Sequence, residues 1–122
     1  MARIVLHQLT YPEHHRISTI WHEGGLEFRS NVFTQVGASI PLHWHTFDHV
    51  ALITHGHFRC VMVSPDGETE VCELASKEMQ APNSAGYKLL IRAHYRHQFT
   101  LLAHHPPLSA EILCILVSQE GG

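Results

Sequence analysis

Residues 37–56 read GASIPLHWHTFDHVALITHG. Within them His43, His45 and His49 stand at even offsets. Successive side chains of a β-strand alternate faces, so residues two and four apart share one. Trp44, Phe47, Val50, Leu52 and Ile53 give the run strand composition, and Gly56 closes it. Three imidazoles on one strand face are the start of a metal site, because neutral imidazole binds Zn, Fe, Mn, Ni and Cu.

Strand signals continue on both sides of this stretch. RIVLHQ at 3–8 predicts a first strand, broken by LTYPEHHR around Pro12. ISTIWHE at 17–23 predicts a second, ended by Gly24-Gly25. LEFRSNVFTQV at 26–36 changes phase after Ser30-Asn31, which predicts one bulged strand or two short ones. HFRCVMVS and ETEVCEL flank Pro65-Asp66-Gly67 and predict a hairpin, with Cys60 facing Cys72 if the turn centres on Asp66. After a less regular 75–86 with a turn at Pro82-Asn83, strands are expected at 87–93, 97–104 and 109–118. No segment carries a sustained helical period with caps. Short strands with turns between them mean an antiparallel sandwich or barrel, and the pattern alone fits either.

Composition narrows the class. The 122 residues suit one domain, and the 44% apolar content is that of a globular chain. A net charge of −3 without a basic run argues against a nucleic-acid partner. No apolar run reaches membrane-spanning length, since ILCILV at 112–117 is only a buried strand, so no membrane role is expected. Three cysteines at wide spacing are not a disulfide framework, and the N-terminus lacks the apolar core of a signal peptide. A cytoplasmic location with reduced thiols follows as the expectation. The outlier is histidine, with 13 copies.

The spacing of Gly37, His43, His45, His49 and Gly56 resembles the first motif of the cupin superfamily. That motif usually carries Glu at the position of His49. The second cupin motif is matched in outline from Gly86 to Leu101: Gly86 and His97 are at the right spacing, while Arg92, His94 and Leu101 stand where Pro, Gly and Asn are usual. The resemblance implies an all-β jelly-roll barrel (a double-stranded β-helix), here one cupin domain over 1–122. It implies a homodimer, and it implies His97 as a fourth metal ligand beside His43, His45 and His49. A single cupin with this pattern is similar to the small four-histidine manganese or iron cupins, which implies oxidative chemistry.

The charge of such a site can be argued directly. Four neutral histidines leave a divalent ion its full +2, where three histidines and a Glu would leave +1. That strengthens the Lewis acid and favours an anionic substrate. Four imidazoles would close a tetrahedral Zn site, whereas a six-coordinate ion keeps two positions open. One divalent ion per chain is expected, Mn or Fe in preference, with Ni, Zn or Cu possible in isolated protein. Parity places Phe47, Ala51 and Ile53 on the ligand face of the first strand, and Phe99 and Leu101 on the face of His97. With Arg96, these are the expected walls of a small-molecule pocket. His94 and Tyr95 are the candidates for proton transfer, and Trp44 is expected to point away from the ion. His55 shares the parity of His49 but lies about 20 Å further along a strand, too far for the same ion.

The expected function is a metal-dependent, dioxygenase-type oxidoreductase acting on a small anionic organic substrate. Its rivals are a non-redox isomerase or lyase using the ion as a Lewis acid, and a non-enzymatic metal or small-ligand sensor. Cupins host many functions, so the fold does not choose among them.

Overall fold

The structure is a computed structural model that describes residues 6–80, 82 and 84–117, with Leu6 described for its backbone only. Residues 3–5 of the first expected strand, Asn83 of the expected turn and Ser118 at the end of the last strand lie outside the described residues. Among the described residues ten strands run in chain order. They are β1 (Leu6–Tyr11), β2 (Arg16–Glu23), β3 (Leu26–Phe33), β4 (Ser39–His43) and β5 (His49–His55), then β6 (His57–Val63), β7 (Thr69–Ala75), β8 (Lys88–Ile91), β9 (Arg96–Ala103) and β10 (Ala110–Val117). Short 3-10 turns cover Pro12–His14 and Lys77–Met79. Among the described residues no helix is long and apolar enough to cross a membrane.

The strands form two antiparallel sheets, in the orders β1-β2-β3-β10-β5-β8 and β4-β9-β6-β7. The last strand slots between β3 and β5, so the chain crosses repeatedly from sheet to sheet, as in a jelly roll. The core between the sheets holds Phe33, Phe58, Leu74, Ile91, Phe99, Leu101 and Ile112, each at most 1% exposed. Phe33 meets Phe58 edge to face at 5.0 Å. In β10, Ile112, Cys114 and Leu116 face this interior, while Leu113, Ile115 and Val117 face out, so only half of the ILCILV run is core.

Several expectations change in detail. The first strand runs on to Tyr11, and Pro12, lacking an N–H, opens the 3-10 turn after it. Gly24 and Gly25 both take positive φ, which a two-residue hairpin turn requires. β3 carries no bulge, for its register is continuous against both β2 and β10. The apparent phase shift arises because Glu27, Arg29 and Asn31 share the parity of buried Phe33, leaving Leu26 and Phe28 on the outer face. The hairpin places Cys60 directly opposite Cys72, and both thiols are free. Burial, reinforced by Cys72, pushes the Cys60 thiol up to about 12.

The stretch from His43 to His49 is not one strand. His43 ends β4 in the four-stranded sheet, residues 44–48 form a loop, and His49 starts β5 in the six-stranded sheet. The chain changes sheets here, so a straight strand cannot connect the two. Gly56, between β5 and β6, has φ +103°, and a Cβ there would stand 2.8 Å from the Ala110 Cβ. Gly56→Ala combines a left-handed alanine with overpacking and is expected to cost about 2–4 kcal/mol. Chemical denaturation checks this, and an unchanged midpoint would count against so tight a corner.

Candidate metal centre

The ends of three strands and one loop bring the imidazoles together. His43 and His97 are cross-strand partners on β4 and β9. Their ring centroids lie 4.2 Å apart. His45, on the loop, lies 4.8 Å from the His43 ring and 5.4 Å from that of His97. His43, His45 and His97 can each bring one ring nitrogen within 4.8 Å of the others. His49, from the opposite sheet, stands just outside that group, its ring 5.2 Å from His97 and 5.4 Å from His45. His97 and His49 are buried, at 2% and 5% exposure.

The hydrogen bonds fix which nitrogens remain. His43 Nδ1 lies 2.7 Å from the Pro41 carbonyl and His97 Nδ1 lies 3.0 Å from the Tyr95 carbonyl. A carbonyl only accepts, so each ring carries its proton on Nδ1 and keeps a lone pair on Nε2. The Nδ1 of His49 is buried with no partner. A buried ring nitrogen without a partner is costly unless something else binds it. Burial, followed by repulsion from the neighbouring rings, lowers His45 to about 4 and His49 to about 3. Burial also lowers His97 to about 4, and it lowers His43. All four are neutral at physiological pH, the state in which imidazole binds a metal. By donor type, protonation state and clustering, these residues fit a divalent ion.

The loop that carries His45 is tied to the turn between β8 and β9. The His94 N–H donates to the His45 carbonyl at 2.7 Å, and the Ala93 N–H donates to Asp48 Oδ1 at 2.7 Å. His94 itself takes φ +69°, a left-handed conformation at the position where the cupin motif has Gly. Asp48→Ala removes the side-chain tie, with an expected cost of about 1 kcal/mol in stability and about tenfold in Mn affinity. Thermal unfolding and chelator competition measure the two, and no change in either would show that the loop holds without Asp48.

A cavity of about 350 Å³ opens from the histidines between the two sheets. Phe47 and Phe99 line it, with Ile20 and Ile40. Phe47 stacks on His45 at 4.7 Å. Ala51, Ile53 and Leu101 have the inward parity but are packed into the core and do not line the cavity. Arg96 is exposed at the start of β9, since its parity is opposite to that of His97. The His94 ring is 5.7 Å from that of Trp44, which is 54% exposed. Tyr95 borders a separate depression with Met62 and Glu70.

Sequence reasoning did not find the opposite wall. Arg16 and Ser18 on β2, and Arg29 and Asn31 on β3, all face the cavity. Arg29 is paired with buried Glu27. No carboxylate is among the described residues lining the cavity. The signal was available as R-x-S at 16–18 and E-x-R-x-N at 27–31, polar residues on one parity with Ile17, Phe28 and Val32 on the other.

No family model matches the chain, and no curated protein matches it. Solved structures do. A tryptophan-to-tyrosine variant of the oxalate decarboxylase from Bacillus subtilis superposes with TM-score 0.70 at 16% identity, over 90% of this chain and 26% of that one. A variant of the same enzyme with a four-residue stretch replaced gives TM-score 0.74 at 15% identity, over 96% of this chain and 28% of that one. A third structure, from work on the Mn(II) centres of that decarboxylase, gives 0.73 at 15% identity, over 96% and 28%. The chain thus spans roughly a quarter of the length of the decarboxylase chains it matches. At such identity the likeness is one of fold. Together with the two-sheet topology, it gives this chain the all-β jelly-roll fold that those decarboxylase chains share.

Proposed function

We propose that the chain is a metal-dependent enzyme acting on a small anionic organic substrate, with His43, His45, His49 and His97 as the ligands of one Mn or Fe ion. The observation that carries this is the convergence of four neutral imidazoles, two of them oriented by backbone carbonyls, on a cavity whose described lining holds no carboxylate. The Mn(II) centres of the decarboxylase that shares the fold support the choice of ion. When bound, the ion supplies a Lewis-acidic, redox-active centre. The protein's part is positioning. The Pro41 and Tyr95 carbonyls hold the rings of His43 and His97, and Phe47, Phe99 and Ile40 keep water away from the reacting end. Arg29 and Arg16 bring positive charge that draws an anion inward.

The finer reading is dioxygenase-type oxidation, supported by the four-histidine pattern. A lyase or isomerase is the second reading, favoured by the neighbours' being named for a decarboxylation. A homodimer is part of the proposal. The outer face of the six-stranded sheet carries the cross-strand row Trp21, Phe28, Ile115 and Val50, an apolar surface that a second copy can cover. Elemental mass spectrometry of untagged protein from cells supplied with Mn and Fe is expected to find about one ion per chain. Oxygen uptake with β-dicarbonyl or phenolic acids then supports oxidation, and turnover without oxygen supports the second reading. Absence of both metals above background overturns the proposal.

A further inference from the structure

The wall opposite the histidines has a construction of its own. Arg16 Nη1 donates to Asn31 Oδ1 at 2.9 Å and to Ser18 Oγ at 3.2 Å. Ser18 Oγ donates to the same Asn31 oxygen. The Arg16 guanidinium lies 4.1 Å from the centre of the Tyr11 ring, and its buried Nε has no partner. Every one of these contacts is neutral. Arg29 has its counter-charge in Glu27, whereas no carboxylate pairs with Arg16 among the described residues. A half-buried cation without a counter-ion is unfavourable until an anion arrives. Asn31 is 6% exposed and accepts both bonds on Oδ1, which leaves its Nδ2 hydrogens free to face an acceptor in the cavity that it lines.

We infer that Arg16 and Asn31 form a second anion subsite, so that the substrate is a small dicarboxylate, one end held at the histidines and the other carboxylate at Arg16. The inference rests on the proposed metal-centred reading for the first end only. Apolar Ile20, Ile40 and Phe99 line the same cavity and suit a short hydrocarbon spacer. The volume of about 350 Å³ is that of a small-molecule site. A single guanidinium matches the one charge of a carboxylate, where a phosphate brings nearly two.

The test compares acids that share one end. Mn-loaded protein is titrated by calorimetry with 2-oxo diacids of four to six carbons and with 2-oxo monoacids of the same lengths. At one length the diacid is expected to bind on the order of tenfold tighter. Arg16→Gln is expected to erase that advantage, so that the diacid and monoacid of one length bind alike, and Arg16→Lys to keep part of it. Equal affinities at every length, or an advantage that survives Arg16→Gln, overturns the subsite. A preference for inorganic phosphate over the diacids as a competitor also overturns it. The same titrations on metal-free protein follow the Arg16 Nε–H signal by NMR, where the carboxylic acids but not their neutral amides are expected to shift it. A chain that takes up no Mn defeats the proposed function, yet this second arm still decides the subsite. It also decides the matter if Arg16→Gln does not fold.

Discussion

His97→Ala is expected to lower Mn affinity about a thousandfold, on the order of 4 kcal/mol. No other imidazole is so central to the cluster. Its ring stands against those of His43, His45 and His49 at 4.2, 5.4 and 5.2 Å. It is 2% exposed, so no water or neighbouring side chain can easily replace the lost donor. Its Nδ1 bond to the Tyr95 carbonyl sets the tautomer and the ring plane, so the lone pair is already oriented before an ion arrives. Truncation also leaves a void, and His97→Gln, which fills it, separates lost ligation from lost packing. His94→Ala is the matched control. That ring lies beside Trp44, and His94 reaches the His45 loop through its backbone N–H, so Mn affinity should stay within about twofold of wild type. Competition against a fluorescent chelator measures all three. Mn affinity equal to wild type in His97→Ala would remove the basis for a histidine-held ion.

Much of the barrel could be read from local signals. Gly24-Gly25 and Pro65-Asp66-Gly67 mark turns that backbone sterics enforce, and the second turn also set Cys60 opposite Cys72. The even offsets predict the grouping of His43 and His45 on one continuous strand, which the structure replaces with a strand end and a loop. The even offsets hold no information about that break, because it comes from the chain crossing between sheets. His49 reaches the same place from the other sheet, a tertiary relation that spacing cannot express. β3 shows the opposite failure. Its phase change predicts a bulge or a break, yet the strand is continuous, with Leu26 and Phe28 outside and Glu27, Arg29 and Asn31 pointing in. A barrel interior is apolar where it is core and polar where it is a site, and period-two alternation alone does not say which. The same ambiguity hides Arg16 and Ser18, polar residues on the inward parity of β2.

The metal-free protein is expected to lose stability steeply in acid, with its melting temperature about 15 °C lower at pH 5 than at pH 7.5. The cause is the same burial that makes the rings good ligands. His49 is held at about 3 and His97 at about 4, by burial first and by neighbouring charge after it. In the unfolded chain a histidine titrates near 6.5. Between these limits the unfolded chain binds protons that the native chain refuses, so the full stability present above about pH 6.5 is lost as the pH falls toward 4 for His97 and toward 3 for His49. At pH 5 that linkage amounts to about 2 kcal/mol for each of the two buried rings. His45 is half-exposed, and solvent screening reduces its share. A bound ion competes with the same protons, so saturating Mn is expected to raise the melting temperature at neutral pH and to dissociate as the pH drops. Thermal unfolding from pH 7.5 to 4.5, with and without Mn, follows both effects. Replacing both His49 and His97 by Gln should flatten the metal-free profile, since neither glutamine titrates. A double variant as acid-sensitive as the wild type would place the titrating groups elsewhere and detach the acid response from the histidine cluster.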